Sequence, residues 1–340
     1  MAGLTILVVN AGSTSLKLSV VSDDGSAESI DSLASAPKVD AVAHRIVHGG
    51  ERFRDAVVVD DAVERELAVF TELAPLHNRP ALDALVDARR AFPYVPHVAV
   101  FDTAFHATIP AEASTYAVPE KWRDVWGIRR FGFHGLSVEW SARCVPAPRL
   151  VVCHLGGGCS VTAVRDGRSA DTTMGFSPLE GVPMATRSGS IDPEIVLYLL
   201  RTKKLGVDEI KRALESESGL LGISGESSRA EELERSSSAE AALALAVFAH
   251  RVAGAVAAMA SALGGLDAIA FTGGTGEGSS RVRADVCRRL AFLGCTLDEH
   301  ANEAAVPDAV ISTADARVAV HVIRAREDVV AADAARRLLS

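Results

Sequence analysis

The chain has 340 residues, 48% of them hydrophobic and 23% charged, with a formal net charge of -9. That length suits about two domains, the composition excludes a disordered or fibrous protein, and the acidic balance argues against a nucleic-acid partner. A small anionic ligand remains possible, because it needs only a pocket of opposite charge.

The chain opens on ILVVNAGSTSLKLSVV (6 to 21), two short β-branched runs around a Gly and Ser turn that carries Asn10. This predicts a first strand and a hairpin, not a signal peptide, since no Lys or Arg precedes the apolar run. Lys17 sits on the outgoing strand, where it either reaches a bound phosphate or is a solvated strand lysine. In AHRIVHGGE (43 to 51) Arg45 interrupts an apolar run, and burying it requires an anionic partner, carboxylate or phosphate. His44 and His48 suggest a metal pair, but no third ligand is near in sequence. Strand patterns follow at 56 to 60 and 98 to 101, and helical ones at 61 to 73 and 80 to 91. FDTAFH (101 to 106) ends a strand on Asp102, a common place for a catalytic carboxylate. The segment 110 to 135, rich in Pro, aromatic residues and Arg, reads as a lobe junction. It ends in RRFGFHGLS, whose His134 is either structural or functional.

LVVCHLGGGCSVTAVRDG (150 to 167) then repeats the shape of the first hairpin, with His154 in the place of Asn10. DTTMGFSPLEGVPMATRSGSIDPE (171 to 194) is irregular yet apolar enough to be ordered, which marks a functional loop, and its Arg187 is a candidate anion-stabilising finger. A helix starts at Pro193, capped by Asp192. Residues 203 to 237 read as partly irregular, 239 to 263 as a buried helix, and 267 to 272 as a strand delivering a third glycine turn, IAFTGGTGEGSS (269 to 280). Strand 317 to 323 and helix 327 to 339 close the chain. Each glycine turn can aim backbone N–H groups at an anion, or be an ordinary hairpin. None is a Walker loop or a dinucleotide fingerprint, so a fold with one hairpin per lobe is expected. The five cysteines, Cys144, Cys153, Cys159, Cys287 and Cys295, have no CxxC pair or ligand-like spacing, which predicts a reduced, cytoplasmic protein. The longest uncharged stretch, Val252 to Leu266, falls short of the roughly 18 residues of a membrane span, so no membrane segment is expected.

Taken in order, NAGSTSLK, HRIVHGG, LAPLHNRP, FDTAFH, RRFGFHG, HLGGGCS, DTTMGFSPLEG, TRSGSIDP, GLLGISG and FTGGTGEGS resemble the acetate kinase family, which includes propionate kinases. The resemblance runs from Asn10 to about Asp333. It implies a two-lobed actin-like α/β fold, shared with sugar kinases, Hsp70 and actin, with a duplicated βββαβαβα core. The N-terminal lobe would hold 1 to 106 and 327 to 340, and the C-terminal lobe 107 to 326. The implied activity is reversible phosphoryl transfer from ATP to acetate, giving acetyl phosphate and ADP, with Mg2+ as cofactor and Mn2+ able to substitute, in a homodimer formed through the second lobe.

Carried over by position, the resemblance implies that Asn10 and Glu327 hold Mg2+ and that Ser13, Ser15 and Lys17 contact the donor phosphates. It gives Arg45 the acetate carboxylate, and Val47, Leu76, Phe133 and Pro178 the acetate methyl group. Asp102 would align the reacting groups, and His134 and Arg187 would stabilise the phosphoryl group in flight. His154, Leu155, Gly156, Gly157 and Gly158, with Gly274, Thr275, Gly276, Glu277 and Gly278, would hold the nucleotide, with Arg229 a further partner. The chain departs from the family at Gly157, Thr275, Gly278 and Asp328 and in the shortened GESSRAEEL, all but Asp328 on the nucleotide side, so altered donor specificity is expected. Propionate or butyrate as acceptor, another donor, and a non-catalytic nucleotide-binding regulator are the alternative readings.

Overall fold

A computed structural model describes residues 3–11, 16–69 and 75–340, with side chains at all of these except 69 and 75–78. The chain forms two compact units. The first contains Met1–Thr108, Phe131–Trp140 and Arg326–Ser340, and the second Ile109–Arg130 and Ser141–Ala325.

The first unit is built on a six-stranded sheet of β1 (Ile6–Ala11), β2 (Leu16–Val21), β3 (Ala27–Ile30), β4 (Ala41–Ile46), β5 (Val57–Val58) and β6 (His97–Phe101), in the order β3-β2-β1-β4-β6-β5. β1, β2 and β3 form an antiparallel meander, β1, β4 and β6 are parallel, and β5 runs antiparallel to β6. β1 is apolar at every position from Ile6 to Val9 because both of its faces are covered. Ile6 and Val8 pack with Val329 to Ala332 of the helix Glu327–Leu339, whereas Leu7 and Val9 pack with Ala88 of the helix Pro75–Ala91.

The second unit repeats this plan strand for strand. Its sheet contains β7 (Arg149–Leu155), β8 (Cys159–Arg165), β9 (Arg168–Thr172), β10 (Ala268–Thr272), β11 (Ala309–Val310) and β12 (Ala319–Val322), in the order β11-β12-β10-β7-β8-β9. Again there is an antiparallel meander, β7, β8 and β9, then the parallel set β7, β10 and β12, then an antiparallel edge strand, β11. The duplication suggested by two hairpins is thus carried by all twelve strands.

The helix Ala239–Leu263 covers this sheet, burying Ala241, Leu245, Phe248, Val252, Val256 and Met259 at helical spacing. Ser238 caps it, accepting from Ala241 N at 3.0 Å, and Gly264 ends it in the left-handed region at φ 71°. Among the described residues it alone has the length and apolarity of a membrane span; here much of it lies against the sheet.

Residues 203 to 237 are irregular in part, as expected, around the short helices Val207–Ser216, Gly219–Ser224 and Ala230–Leu233. Two sequence expectations change. The third glycine turn is a one-and-a-half-turn helix, Gly273–Gly278. Residues 131 to 140 group with the first unit, not the second, because Leu136 is buried in the core with Ile6, Val8 and Val330.

Candidate active site

Three neighbouring parallel strands of the first unit end in polar side chains. Asn10 lies near the end of β1, Arg45 near the end of β4, and Asp102 directly follows β6. Arg45 is level with Val100 in the register, so Asp102, two residues on, shares its face of the sheet. The carboxyl ends of parallel strands are where open α/β sheets bind ligands.

Arg45 and Asp102 form a two-pronged pair, Nε to Oδ1 at 2.8 Å and Nη2 to Oδ2 at 2.5 Å. Arg45 Nη1 donates to Asn10 Oδ1 at 2.9 Å and lies 3.4 Å from Glu327 Oε2, which accepts from Asn10 Nδ2 at 3.2 Å. Glu327 opens the C-terminal helix, where its charge meets the positive helix end. Burial pulls the Arg45 pKa down, but the carboxylates of Asp102 and Glu327 outweigh it, and the guanidinium is held firmly charged. Asp102 is 1% exposed; desolvation raises its pKa, and Arg45 and the His134 backbone N–H oppose that. Both of its oxygens accept from the guanidinium, which requires the carboxylate form.

His134 stands at φ 60°, a conformation that costs a non-glycine residue roughly 1–2 kcal/mol. The backbone on either side is pinned. Gly135 N donates to Asp102 O at 2.9 Å, and His106 Nε2 donates to Phe133 O at 2.9 Å. Phe133 is fully buried, edge-on to His48 with ring centroids 5.4 Å apart, and Val47 is buried nearby in sequence after β4. Leu76 lies in the helix Pro75–Ala91, with its side chain outside the described residues; Ser13 and Ser15 also lie outside them. Lys17 is exposed on β2, paired in register with Asn10.

In the second unit Arg187 Nη1 donates to the carbonyl of Pro178 at 3.1 Å, so these two predicted residues come together. Burial pulls the Arg187 pKa down, offset in part by Cys159 and Glu215; an arginine stays charged under such a shift. The loop that carries Pro178 is held by side chains that the sequence reading passed over. Arg130 Nη1 donates to the carbonyls of Thr172, Thr173 and Met174 at 2.9, 3.0 and 3.1 Å, and its Nη2 to Glu180 at 2.9 Å. The Tyr116 hydroxyl donates to the same carboxylate and accepts from Phe176 N at 2.9 Å. A Cβ on Gly175 would meet Glu180 Oε2 at 1.6 Å and the Tyr116 hydroxyl at 1.9 Å, so a larger residue there would displace this pair.

His154, next to last on β7, is level with Thr272 of β10, and Leu155 pairs with Cys159 across the turn of Gly156, Gly157 and Gly158. Gly273, at φ 78°, turns the chain from β10 into the short helix that holds Gly274, Thr275, Gly276, Glu277 and Gly278. Glu277 Oε1 accepts from Gly273 N at 3.1 Å and Ala325 N at 2.9 Å, which commits that oxygen to the backbone. The side chain of Arg229 is 69% exposed, 3.5 Å from Glu232 and 4.0 Å from Glu231.

Two copies of one sheet plan, each with a glycine hairpin, define the actin-like α/β fold. At the strand ends of the first copy Asn10, Arg45, Asp102 and Glu327 form one polar cluster. The chain belongs to the Acetokinase family, whose profile matches residues 27–333. It is 44% identical over 316 residues to an acetate kinase of Nostoc punctiforme, covering 90% of this chain and 77% of that protein. Among solved structures, it is similar to a propionate kinase from Francisella tularensis (TM-score 0.89, 32% identity, 97% of this chain and 98% of that one). It is also similar to the Porphyromonas gingivalis acetate kinase (TM-score 0.88, 30% identity, 99% and 100%).

Proposed function

We propose that the protein is an acetate kinase, which transfers the γ-phosphoryl group of ATP to acetate and back, giving acetyl phosphate and ADP. The observation that carries this reading is a desolvated arginine held charged by two carboxylates at the strand ends of an Acetokinase-family chain. Acetate is ionised at neutral pH, so no base is needed to make the nucleophile. The obstacle is repulsion between two anions.

Arg45 binds the acetate carboxylate, and Asp102 fixes the plane of its guanidinium. A carboxylate oxygen of acetate attacks the γ-phosphorus, the bond to the β–γ bridging oxygen breaks, and ADP leaves without a proton transfer. His134 and Arg187 stabilise the charge on the phosphoryl oxygens, which is where catalysis of such a transfer lies. The acetate methyl group falls to Val47, Leu76, Phe133 and Pro178 in this reading. Lys17, Ser13 and Ser15 hold the donor phosphates, and the glycine segments 154 to 158 and 274 to 278, with Arg229, hold the nucleoside.

Asn10 and Glu327 suit Mg2+, which prefers oxygen ligands and binds through one or two carboxylates together with phosphates and water. The oxygens that would hold it, Asn10 Oδ1 and Glu327 Oε2, both face Arg45 Nη1, at 2.9 and 3.4 Å, so they lie side by side and would turn from the guanidinium to the ion. When bound, the ion neutralises charge on the donor phosphates.

Propionate is a second acceptor consistent with the likeness to a propionate kinase, since one methylene changes discrimination by only about 1–3 kcal/mol. A homodimer belongs to the same reading. Ile191, Ile195, Leu197 and Tyr198, at and before the helix Pro193–Tyr198, are each more than a third exposed, which is the composition of a covered surface. A cytoplasmic location fits five cysteines that are all free thiols.

The test is acyl phosphate formation by the full chain, trapped with hydroxylamine, from acetate, propionate and butyrate against ATP, GTP and pyrophosphate with Mg2+. Acetyl hydroxamate from ATP and acetate supports the reading. Product from another donor alone would assign the changed residues Gly157, Thr275 and Gly278 to donor choice, and no product from any pair would overturn it.

A further inference from the structure

His106 lies outside the set of charged side chains at the strand ends, yet it is 2% exposed and bonded to the segment that carries His134. Its partner, the Phe133 carbonyl, can only accept, so Nε2 carries the hydrogen. Burial depresses its pKa to about 4, which keeps the ring neutral in ordinary buffers. Hence one tautomer is present.

The bond it makes is one of three that surround His134. The His134 backbone N–H donates to the Asp102 carboxylate, Gly135 N donates to the Asp102 carbonyl at 2.9 Å, and His106 holds the Phe133 carbonyl from the other side. Asp102 and His106 both belong to the short stretch that leaves β6, whose 3-10 turn spans Ala104–Thr108. That stretch therefore grips the 133 to 135 segment at two points four residues apart. The approach is close: a Cβ on Gly135 would meet the Asp102 carbonyl oxygen at 2.1 Å and Phe105 Cβ at 3.0 Å. Between the two grips lies His134 at φ 60°, a backbone state that persists only where the surroundings over-determine it.

We infer that His106 is a positioning residue, whose Nε2–H···O=C bond to Phe133 holds His134 in its left-handed conformation and aims the imidazole for phosphoryl transfer. The inference rests on the acetate kinase reading for the role of His134, and on geometry alone for the clamp. Through Asp102 the same clamp ties His134 to Arg45, so the residue that receives the acceptor and the residue that meets the phosphoryl group share one support.

The experiment compares the wild-type chain with His106→Phe, which keeps a ring and removes the donor. His106→Gln keeps an N–H, and Gly135→Ala drives the two segments apart without touching His106. Hydrogen exchange of the peptide spanning 131 to 138 and steady-state kinetics are read on each. In His106→Phe and Gly135→Ala the amides of His134 and Gly135 are expected to exchange about tenfold faster or more. kcat should fall about 10²-fold, the usual consequence of misplacing a reacting group by an ångström. The KM for ATP should stay within about twofold and His106→Gln within about threefold of wild type in kcat. Faster exchange with kcat unchanged would overturn the positioning role, and so would a His106→Gln variant as slow as His106→Phe, which would make ring volume the cause. Gly135→Ala keeps the question open to measurement if His106→Phe does not fold. A wild-type chain that forms no acyl phosphate would overturn the acetate kinase reading instead; exchange in the variants would still uphold or overturn the clamp.

Discussion

Asp102 is 1% exposed, and its two oxygens face Arg45. Taking away the guanidinium leaves a desolvated carboxylate beside a second one, Glu327, so Arg45→Ala is expected to cost roughly 3–5 kcal/mol of stability. It should also raise the KM for acetate; urea unfolding and acetate titration check the two effects, and a variant as stable as wild type would contradict the pairing. The proposed function gives Arg187 a different task and a different signature. Arg187→Ala should lower kcat about 10²- to 10³-fold while the acetate KM moves little, as for a group that acts on transition-state charge. Steady-state kinetics with varied acetate separates this from the reverse pattern. Arg45 was legible in the sequence for a physical reason, because a charge inside an apolar β run must find a counter-charge. The triad of Tyr116, Arg130 and Glu180 was not. Its members lie 64 and 50 residues apart in segments without periodicity, so nothing in either segment points to the other.

At the scale of elements, the ends 239 to 263 and 327 to 339 expected for the long helix and the C-terminal helix are the observed ones; Ser238 and Gly264 cap the first, and an acidic first turn and a basic last turn mark the second. For GGTGEG the sequence predicts a turn, because four glycines in six residues oppose a helix. Tertiary bonds override that preference. Glu277 accepts from Gly273 N, and Arg283, 2% exposed, donates to the carbonyls of Gly276 and Glu277 at 3.0 and 2.8 Å and to Asn302. Arg283→Met should therefore cost about 2 kcal/mol or more by leaving carbonyls unpaired. If this helix holds the nucleotide, the variant should raise the KM for ATP and leave that for acetate unchanged. Thermal unfolding and ATP titration read both, and an unchanged ATP KM would contradict the assignment of these glycines.

On the scale of the whole molecule, the duplicated hairpin was visible in the sequence, whereas the strand orders that make the duplication complete were not, since parallel pairing joins residues far apart in the chain. The expected bounds at 106 and 327 lie within two residues of the observed 108 and 326, but one return of the chain was hidden. Residues 131 to 140 return to the first unit through a core contact, that of Leu136, and not through a change of composition.

One global property follows from three buried histidines of the first unit. His97 Nε2 donates to Phe92 O, so its Nδ1 accepts from His44 Nε2 at 2.8 Å, and both rings are neutral. Burial lowers His44 from 6.5 to about 3, His106 to about 4, and His97 in the same direction. The unfolded chain binds protons at these sites below pH 6.5 and the native chain does not. Stability is thus full above about pH 6.5 and falls as pH drops towards 4, by on the order of 1.4 kcal/mol per pH unit for each fully buried histidine. Urea unfolding between pH 7.5 and 4.5 checks the slope, and a flat profile would contradict it.

Reversible transfer between an acyl phosphate and a nucleotide can be observed from the acyl phosphate side. A phosphorus NMR time course on the full chain with acetyl phosphate, ADP and Mg2+ follows it directly. The acetyl phosphate signal is expected to decline as the γ-phosphate of ATP grows in equal amount. Acetyl phosphate that persists, or that passes to inorganic phosphate without ATP, would contradict it.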